Sequence, residues 1–545
     1  MKEYHSIFNH TLAPITPGPS SSNTCGPARI ALFAHRMFGG TPQKAVIEYS
    51  KYGAFPTSMF GMKSDFSFVN GLLGKDQNAP DYKRCYECAA EAGMEVSFKE
   101  VEDLTIGGYE AARLRLFGKD GSSMVLVGES LGGGSFLMHS IDGIPIESHG
   151  AYHELFVMLG DDGAQTVEEI EAMLESAFKA AGGEECPKGA RGKGKMPVLC
   201  GMVHTNGGGK AVLQAKFTEK LPESLLHQVQ SHPSVLWARL MEPVVPEVIL
   251  PNAAPPFENA AGLVAYCEKT GRTPAQAAVD YEASVSGWSE AQIQDYAAEL
   301  LAIMQEGEKA GTKTAFSFPG ILAQKGPELH RAMAEHPAPS LGFLDQAIPA
   351  ALGVMEYSNA SGKIVCVPTG GSSGIVPGLL LTAAHSMEKT EEELAEALLV
   401  SGLIGVLMMI EGNNFSGGMT GCQAEIGCGT AMAAAGLAAM MGGNAKQVCD
   451  AACMGLQSFF GLVCDPVCGF VQVPCLARNM AAVSVAATCA KTVLAGFDVL
   501  IPLDEMIVSF IEGGRTIMST VGIGKSGCCA TPSAKRLKAE RERKK

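Results

Sequence analysis

Charges are few across residues 364–503, and this limits what the chain can fold into more than any other feature of its 545 residues. A long uncharged stretch such as Ile426–Ala445 must lie in a bilayer or in a protein core. It is built from Gly, Ala and Met with Cys428 near its start, a composition that suits a close-packed buried helix. Apolar and small residues recur at helical spacing in Ala275–Tyr281, Glu290–Gln305, Glu391–Met409, Gly429–Met441, Ala445–Phe460 and Arg478–Val493. Gly-rich breaks separate them. A mostly α-helical domain with buried helices, ending in a tail, is therefore expected over residues 257–545.

The N-terminal half has a different character. Residues 1–160 mix glycine-rich turns with strand-like runs such as Ala112–Phe117 and Ser123–Val127, as expected of an α+β domain. Residues 161–256 read as a small α+β insert. It has a helix at Thr166–Ala181, a Gly- and Lys-rich loop at Gly182–Lys195, strands at Val198–Val203 and Ala211–Phe217, and a helix at Glu223–Ser231. Five prolines in Pro243–Pro256 mark a linker, because proline removes donors and stops helices.

Composition narrows the function classes. A net charge of −15 argues against a general nucleic-acid or anionic-membrane surface, since phosphate binding is carried by Lys and Arg. The basic run Lys535–Lys545 reads as a solvated helix end. Met1–Thr16 lacks the apolar core of a signal peptide. Seventeen cysteines in such a chain fit buried thiols or soft metal ligands in a reducing cytoplasm better than a disulfide framework.

Two loops carry hydroxyls and glycines. Gly18-Pro19-Ser20-Ser21-Ser22-Asn23-Thr24 precedes a helix and reads as an N-cap with a polar loop, or as an anion cradle for a carboxylate. Pro368-Thr369-Gly370-Gly371-Ser372-Ser373-Gly374 allows close backbone approach to a carboxylate or phosphate. A pyridoxal-phosphate cup would need a Schiff-base lysine motif, and none accompanies it. Gly524-Lys525-Ser526 imitates the end of a P-loop, but Ser519 stands where that motif requires glycine. Cys85-x-x-Cys88 reads as a redox or metal pair, or as two ordinary helical cysteines.

The cysteines Cys422, Cys464 and Cys475 sit in Gly421-Cys422-Gln423-Ala424-Glu425-Ile426-Gly427 and in Cys464-Asp465-Pro466-Val467-Cys468…Gln472-Val473-Pro474-Cys475. These spacings match neither a zinc ribbon nor a ferredoxin run, and on spacing alone the buried-cysteine reading stands first. The two runs, however, resemble hallmarks of the iron–sulfur L-serine dehydratases, the L-serine ammonia-lyases. The Gly-Pro-Ser-Ser-Ser segment resembles that family's other domain, and Ser130-Leu131-Gly132-Gly133-Gly134 is similar to its Ser-x-Gly-Gly-Gly turn. The likeness covers residues 1–158 loosely and about 258–530 well.

The resemblance implies a [4Fe–4S] cluster on Cys422, Cys464 and Cys475, with one iron left open as a Lewis acid and no pyridoxal phosphate. It implies a substrate held by Ser20, Ser21, Ser130, Gly132, Thr369, Gly370, Gly371, Ser372 and Ser373. Ser22, Thr24, Lys63, Ser64 and Asp65 are the candidate catalytic groups. Cys528 and Cys529, near the C-terminus, are candidate caps of the open iron, or else exposed thiols of a mobile tail.

The chain also departs from the family pattern. Asn23 stands where histidine is usual, Phe60–Asp65 lacks a histidine, and a His-Pro-Asn-Thr motif is replaced around Gly107–Ala111. Gly370 replaces an asparagine, and Gln457-Ser458-Phe459 replaces a Glu-His-Asn run. The cluster ligands are kept while substrate contacts and proton-transfer groups change. The expectation is a cytoplasmic, homodimeric lyase of amino acid metabolism that eliminates water and ammonia from a small amino or hydroxy acid, L-serine first. The alternatives are the same chemistry on L-cysteine or another hydroxy acid, and an iron–sulfur regulatory or redox protein without catalysis.

Overall fold

The charge-poor region forms a packed helical core. In the computed structural model, which describes residues 4–104, 106–160, 164–180, 199–207, 209–246, 249–250, 253–335, 339–409 and 415–543, helix Cys428–Met440 is buried along almost its whole length. Helices Ile375–Ser386, Glu391–Leu407, Ala445–Ser458 and Cys475–Leu494 surround it. Small residues set the spacing: a Cβ on Gly436 would stand 2.2 Å from Ser401 Oγ and 2.9 Å from the Ala397 carbonyl. No larger residue leaves room for that crossing. Among the described residues no helix is long and apolar enough to cross a membrane.

Local signals start these helices where they are needed. Thr390 and Glu393 form a reciprocal cap on Glu391–Leu407, whose first turn carries Glu391, Glu392 and Glu393 against the helix dipole. Thr273 with Gln276, Ser289 with Gln292, and Asn444 with Gln447 cap three more. The expected helices over residues 257–545 are present. Several extend beyond the sequence pattern, as Glu290–Lys313 does, because tertiary packing continues after the apolar stripe fades.

The N-terminal part mixes sheet and helix. Six strands pack in the order Glu95–Val101, Lys44–Ser50, Ala111–Phe117, Ser123–Gly132, Ser135–Ile141, Ile144–Ser148, with the first pair parallel and the rest antiparallel. Helices Cys25–Phe38 and Ser64–Leu72 pack together, and Cys25–Phe38 lies on the strands Ser123–Gly132 and Ser135–Ile141. A second sheet of four strands runs in the order Val235–Met241, His153–Leu159, Lys210–Phe217, Leu199–Gly207, all antiparallel. With helices Ala164–Ala180 and Glu223–Gln230 it forms a split β-α-β-β-α-β unit. Its first strand lies before residue 161, so the insert's sheet reaches back into the segment assigned to the first domain. The loop Gly182–Lys195 lies outside the described residues.

The N-terminal segment does not stay with its own sheet. Ile7, Phe8 and Leu12 enter the core of the helical part, and Ile15–Pro17 pairs antiparallel with Lys363–Val365. Glu282, fully buried, accepts from Ser6 Oγ at 2.6 Å and from the Ile7 N–H at 2.7 Å. Burial pushes its pKa up to about 7. Phe8 meets Trp288 at 5.6 Å and Tyr296 at 4.9 Å between ring centroids. Phe8→Ala should therefore cost about 3–5 kcal/mol, read as a lower urea midpoint of the helical part. An unchanged midpoint would show that this segment adds nothing to that core.

Candidate active site

Three cysteine-bearing segments meet at one end of the helical core. Cys422 precedes a π-helical turn, Gln423–Gly427, that feeds helix Cys428–Met440. Such turns re-aim side chains and recur at functional sites. Cys464 lies in the extended link after Ala445–Ser458, and Cys475 opens helix Cys475–Leu494. A helix N-terminus favours a thiolate.

The sulfurs crowd one another. A hydrogen bond with Cys422 and then burial push the Cys464 thiol well up, and the Cys422 charge and the nearby Cys475 add to it. Burial, then the charge of Cys422, raises Cys475 as well. Glu425 joins the group. A Cβ on Gly417 would stand 2.9 Å from Glu425 Oε2 and 3.7 Å from Cys464 Sγ, so only glycine leaves that space open. Burial raises the Glu425 carboxyl too, against the hydrogen bonds from Thr369 and Cys422.

Three buried thiols whose thiolates would repel one another ionise together only beside a multivalent cation. Their softness suits iron–sulfur ligation. No three His, Cys, Asp or Glu side chains among the described residues close around a single ion. Three cysteines are the donor set that such ligation would use.

The glycine loop lies over this group. Thr369 Oγ1 donates to Glu425 Oε1 at 2.8 Å, and Asn479 Nδ2 donates to the Gly371 carbonyl at 2.8 Å and to that of Cys475 at 2.9 Å. From the other side comes the serine loop. A Cβ on Gly370 would stand 2.9 Å from the Pro19 carbonyl, 2.9 Å from the Ser21 nitrogen and 3.0 Å from the Ser20 Cα. The Gly370 N–H donates to Ser21 Oγ at 3.3 Å. The asparagine usual here would not fit against this serine loop.

The cradle itself gathers Ser20, Ser22 and Asn23. Asn23 Nδ2 lies 3.1 Å from Ser20 Oγ and 3.2 Å from Ser22 Oγ, and Asn23 Oδ1 accepts from Ser64 Oγ at 3.3 Å. Ser130 Oγ donates to the Ser22 carbonyl at 2.8 Å, with Gly132 at a left-handed φ of 100° beyond it. Other candidates turn away from the cradle. Thr24 Oγ1 donates to the Ser20 carbonyl, Ser372 Oγ to Val367 and Ser373 Oγ to Gly370, so these hydroxyls brace their loops. Asp65 accepts from the Tyr86 hydroxyl at 2.8 Å, and Lys63 lies over the Phe66 ring.

The C-terminal turn lies against the segment that carries Cys464. The Cys528 N–H donates to Asp465 Oδ2 at 2.7 Å, and Asp465 pairs with Arg478 at 2.9 Å. Cys529 Sγ lies 2.9 Å from the Ser526 carbonyl. Helix Pro532–Glu542 holds the turn in place through Arg541, which donates to the Gly320 carbonyl at 2.9 Å. Cys88 meets Asp81 elsewhere, and Cys428 and Cys468 fall in the helix and in a left-handed turn.

Sequence reasoning assigned no role to Glu110, Glu425, Arg478 or Asn479. The last three are polar residues in an otherwise apolar region. Charges that persist where nearly everything else is apolar mark a site.

Comparison with known proteins follows the same residues. The family described as "Serine dehydratase alpha chain" matches residues 194–526, more than half of the chain. "L-serine dehydratase 1" of Escherichia coli (strain K12) is 34% identical over 267 residues, 48% of this chain and 58% of that protein. "Probable L-serine dehydratase, alpha chain" of Bacillus subtilis (strain 168) is 33% identical over 238 residues, 44% of this chain and 79% of that one. "L-serine dehydratase, alpha chain" of Peptoniphilus asaccharolyticus is 35% identical over 199 residues, 36% and 68%. The chain thus spans little more than half the length of the Escherichia coli relative.

Gly370→Ala should push the serine loop away. The expected cost is about 1–3 kcal/mol, seen as a lower Tm and as faster amide exchange in residues 19–24. A variant as stable as the wild type would show that the two loops do not meet this closely. The contact between the serine and glycine loops, the converging cysteines and the family match lead to one conclusion: the chain belongs to the serine dehydratase alpha chain family.

Proposed function

We propose that this chain is a [4Fe–4S]-dependent lyase that eliminates the β-hydroxyl of a small hydroxy amino acid, taking L-serine to pyruvate and ammonia. The observation that carries the reading is the convergence of Cys422, Cys464 and Cys475 with Glu425 beneath a cradle of hydroxyls and glycines. The names of these relatives, all L-serine dehydratases, support the same chemistry.

Cys422, Cys464 and Cys475 would hold the cluster. When bound, it supplies an iron with an exchangeable position, a Lewis acid that makes hydroxide a better leaving group. Ser20 and the Gly371 N–H take the substrate carboxylate and fix its orientation. Ser21 and Asn479 hold the two loops at that spacing. The Cys528–Cys529 turn, anchored on Asp465, serves as the cap that substrate displaces. A reducing cytoplasm keeps these thiols available. A second substrate class, L-cysteine or another β-substituted acid, is favoured by Asn23 and Glu110, which stand where the family pattern carries histidine motifs.

Anaerobic purification with cluster reconstitution, followed by a screen of small hydroxy and amino acids for keto-acid release, tests the reading. Cys464→Ser should strip iron and abolish release, and an iron-free enzyme with full activity would falsify the proposal. Replacing Cys528 and Cys529 together by Ser should alter the resting-state cluster spectrum while iron stays bound. An unaltered spectrum would remove the cap.

A further inference from the structure

Glu110 lies in the segment Gly107–Ala111, between the hydroxyl cradle and the cluster cysteines. Its backbone is fixed: the Ser130 N–H donates to the Glu110 carbonyl at 3.1 Å, and the Ala54 N–H to that of Tyr109 at 2.9 Å. Its side chain is buried and asymmetric. Oε1 accepts from Ser22 Oγ at 3.2 Å and faces Asn23 Nδ2 at 3.5 Å, whereas Oε2 has no hydrogen-bond partner among the described residues. A carboxylate oxygen that accepts from no protein donor is open to a proton or a ligand.

The surroundings tie this carboxyl to the reacting centre. Glu425 and Glu129 are close enough to act on it, and Tyr109, the preceding residue, is within reach of Cys464. No Lys or Arg salt bridge to Glu110 occurs among the described residues. Burial first, then those two like charges, outweighs the hydrogen bonds from Ser22 and Asn23 and pushes the pKa up to about 8. A carboxyl of that kind takes a proton readily near neutral pH. The other candidate carboxyl, Asp65, also has one unpaired oxygen, but it faces Tyr82, Cys85 and Tyr86 rather than the cradle, and Lys63 lies over the Phe66 ring.

We infer that Glu110 is the catalytic base of this chain, taking the substrate's α-proton on Oε2 while Ser22 and Asn23 hold Oε1 in place. The inference rests on the elimination reading of the site. The Cα–H bond breaks and its proton goes to Oε2, while the electron pair it leaves becomes the second bond between Cα and Cβ. The Cβ–O bond breaks with its pair on oxygen, and the departing hydroxide recovers the proton from Glu110 and leaves as water. Serine thereby becomes aminoacrylate plus water, with no change of oxidation state overall. The aminoacrylate then hydrolyses to pyruvate and ammonia.

The test uses the reconstituted full chain with L-serine and α-deuterated L-serine, or the same pair for whichever acid the screen finds turned over. Glu110→Gln should keep its iron and lose at least about 100-fold in kcat, the scale of general-base catalysis. Glu110→Asp keeps a carboxylate but retracts it, so it should turn over slowly with a larger primary isotope effect than the wild type. If Glu110→Gln fails to hold iron, Glu110→Asp decides alone. A Glu110→Gln enzyme within about threefold of the wild type overturns the assignment, and so does a slow Glu110→Asp enzyme whose isotope effect has not grown. A wild type inert toward every acid sinks the elimination reading itself, whereas an active wild type with an active Glu110→Gln sinks only the base.

Discussion

Two loops far apart in the chain touch backbone to backbone, and the site depends on that contact. Gly370 lies against Pro19, Ser20 and Ser21 with no space for a side chain. One loop belongs to the α+β part and carries the cradle. The other belongs to the helical part and, through Thr369, Gly371 and Asn479, is fastened to the cysteine segments. Neither part alone holds a complete site. The N-terminal segment strengthens the union from behind: it inserts Phe8 into the helical core and adds a strand to Lys363–Val365, a few residues before the glycine loop.

Much of this was legible in the sequence, for physical reasons that can be named. The scarcity of charge over residues 364–503 announced buried helices, and apolar residues at helical spacing located several of them, among them Glu391–Leu407. The three cysteines were legible only through resemblance, because their spacing matches neither a zinc ribbon nor a ferredoxin run. Strand pairing was less accessible. His153–Leu159 reads as the end of the first domain, yet its partners are Lys210–Phe217 and Val235–Met241. Local pattern gives a strand but not the sheet it joins.

Hydroxyl-rich loops also mislead in a particular way. Sequence cannot say whether a serine faces a ligand or its own backbone, since both uses favour the same residue at the same turn. Ser20 and Ser22 face each other and Asn23, whereas Ser372, Ser373 and Thr24 satisfy carbonyls of their own loops. Glu110 was hidden for a related reason. Its segment was noted for the motif it lacks, and a single glutamate beside a strand is ordinarily a solvated one. Only the fold shows it buried with one oxygen unpaired.

The distribution of charge gives the site its logic. Glu110, Glu425 and three thiols are gathered in a small volume, and the nearest fixed cation on the cluster side is Arg478, held by Asp465 and the Val463 carbonyl. On the cradle side Arg29 is buried one turn into helix Cys25–Phe38 and donates to the Gly134 carbonyl at 2.6 Å. Two guanidiniums do not balance five acidic groups, so these cannot all be ionised in the bare protein at modest cost. A cluster bound as proposed would change the balance, ionising the thiols and lowering the cost of a charged Glu425. Glu110 lies farther from the sulfurs and keeps the environment of a buried carboxyl facing like charges. On the proposed reading, that difference separates the groups that would hold metal from the one that would move a proton.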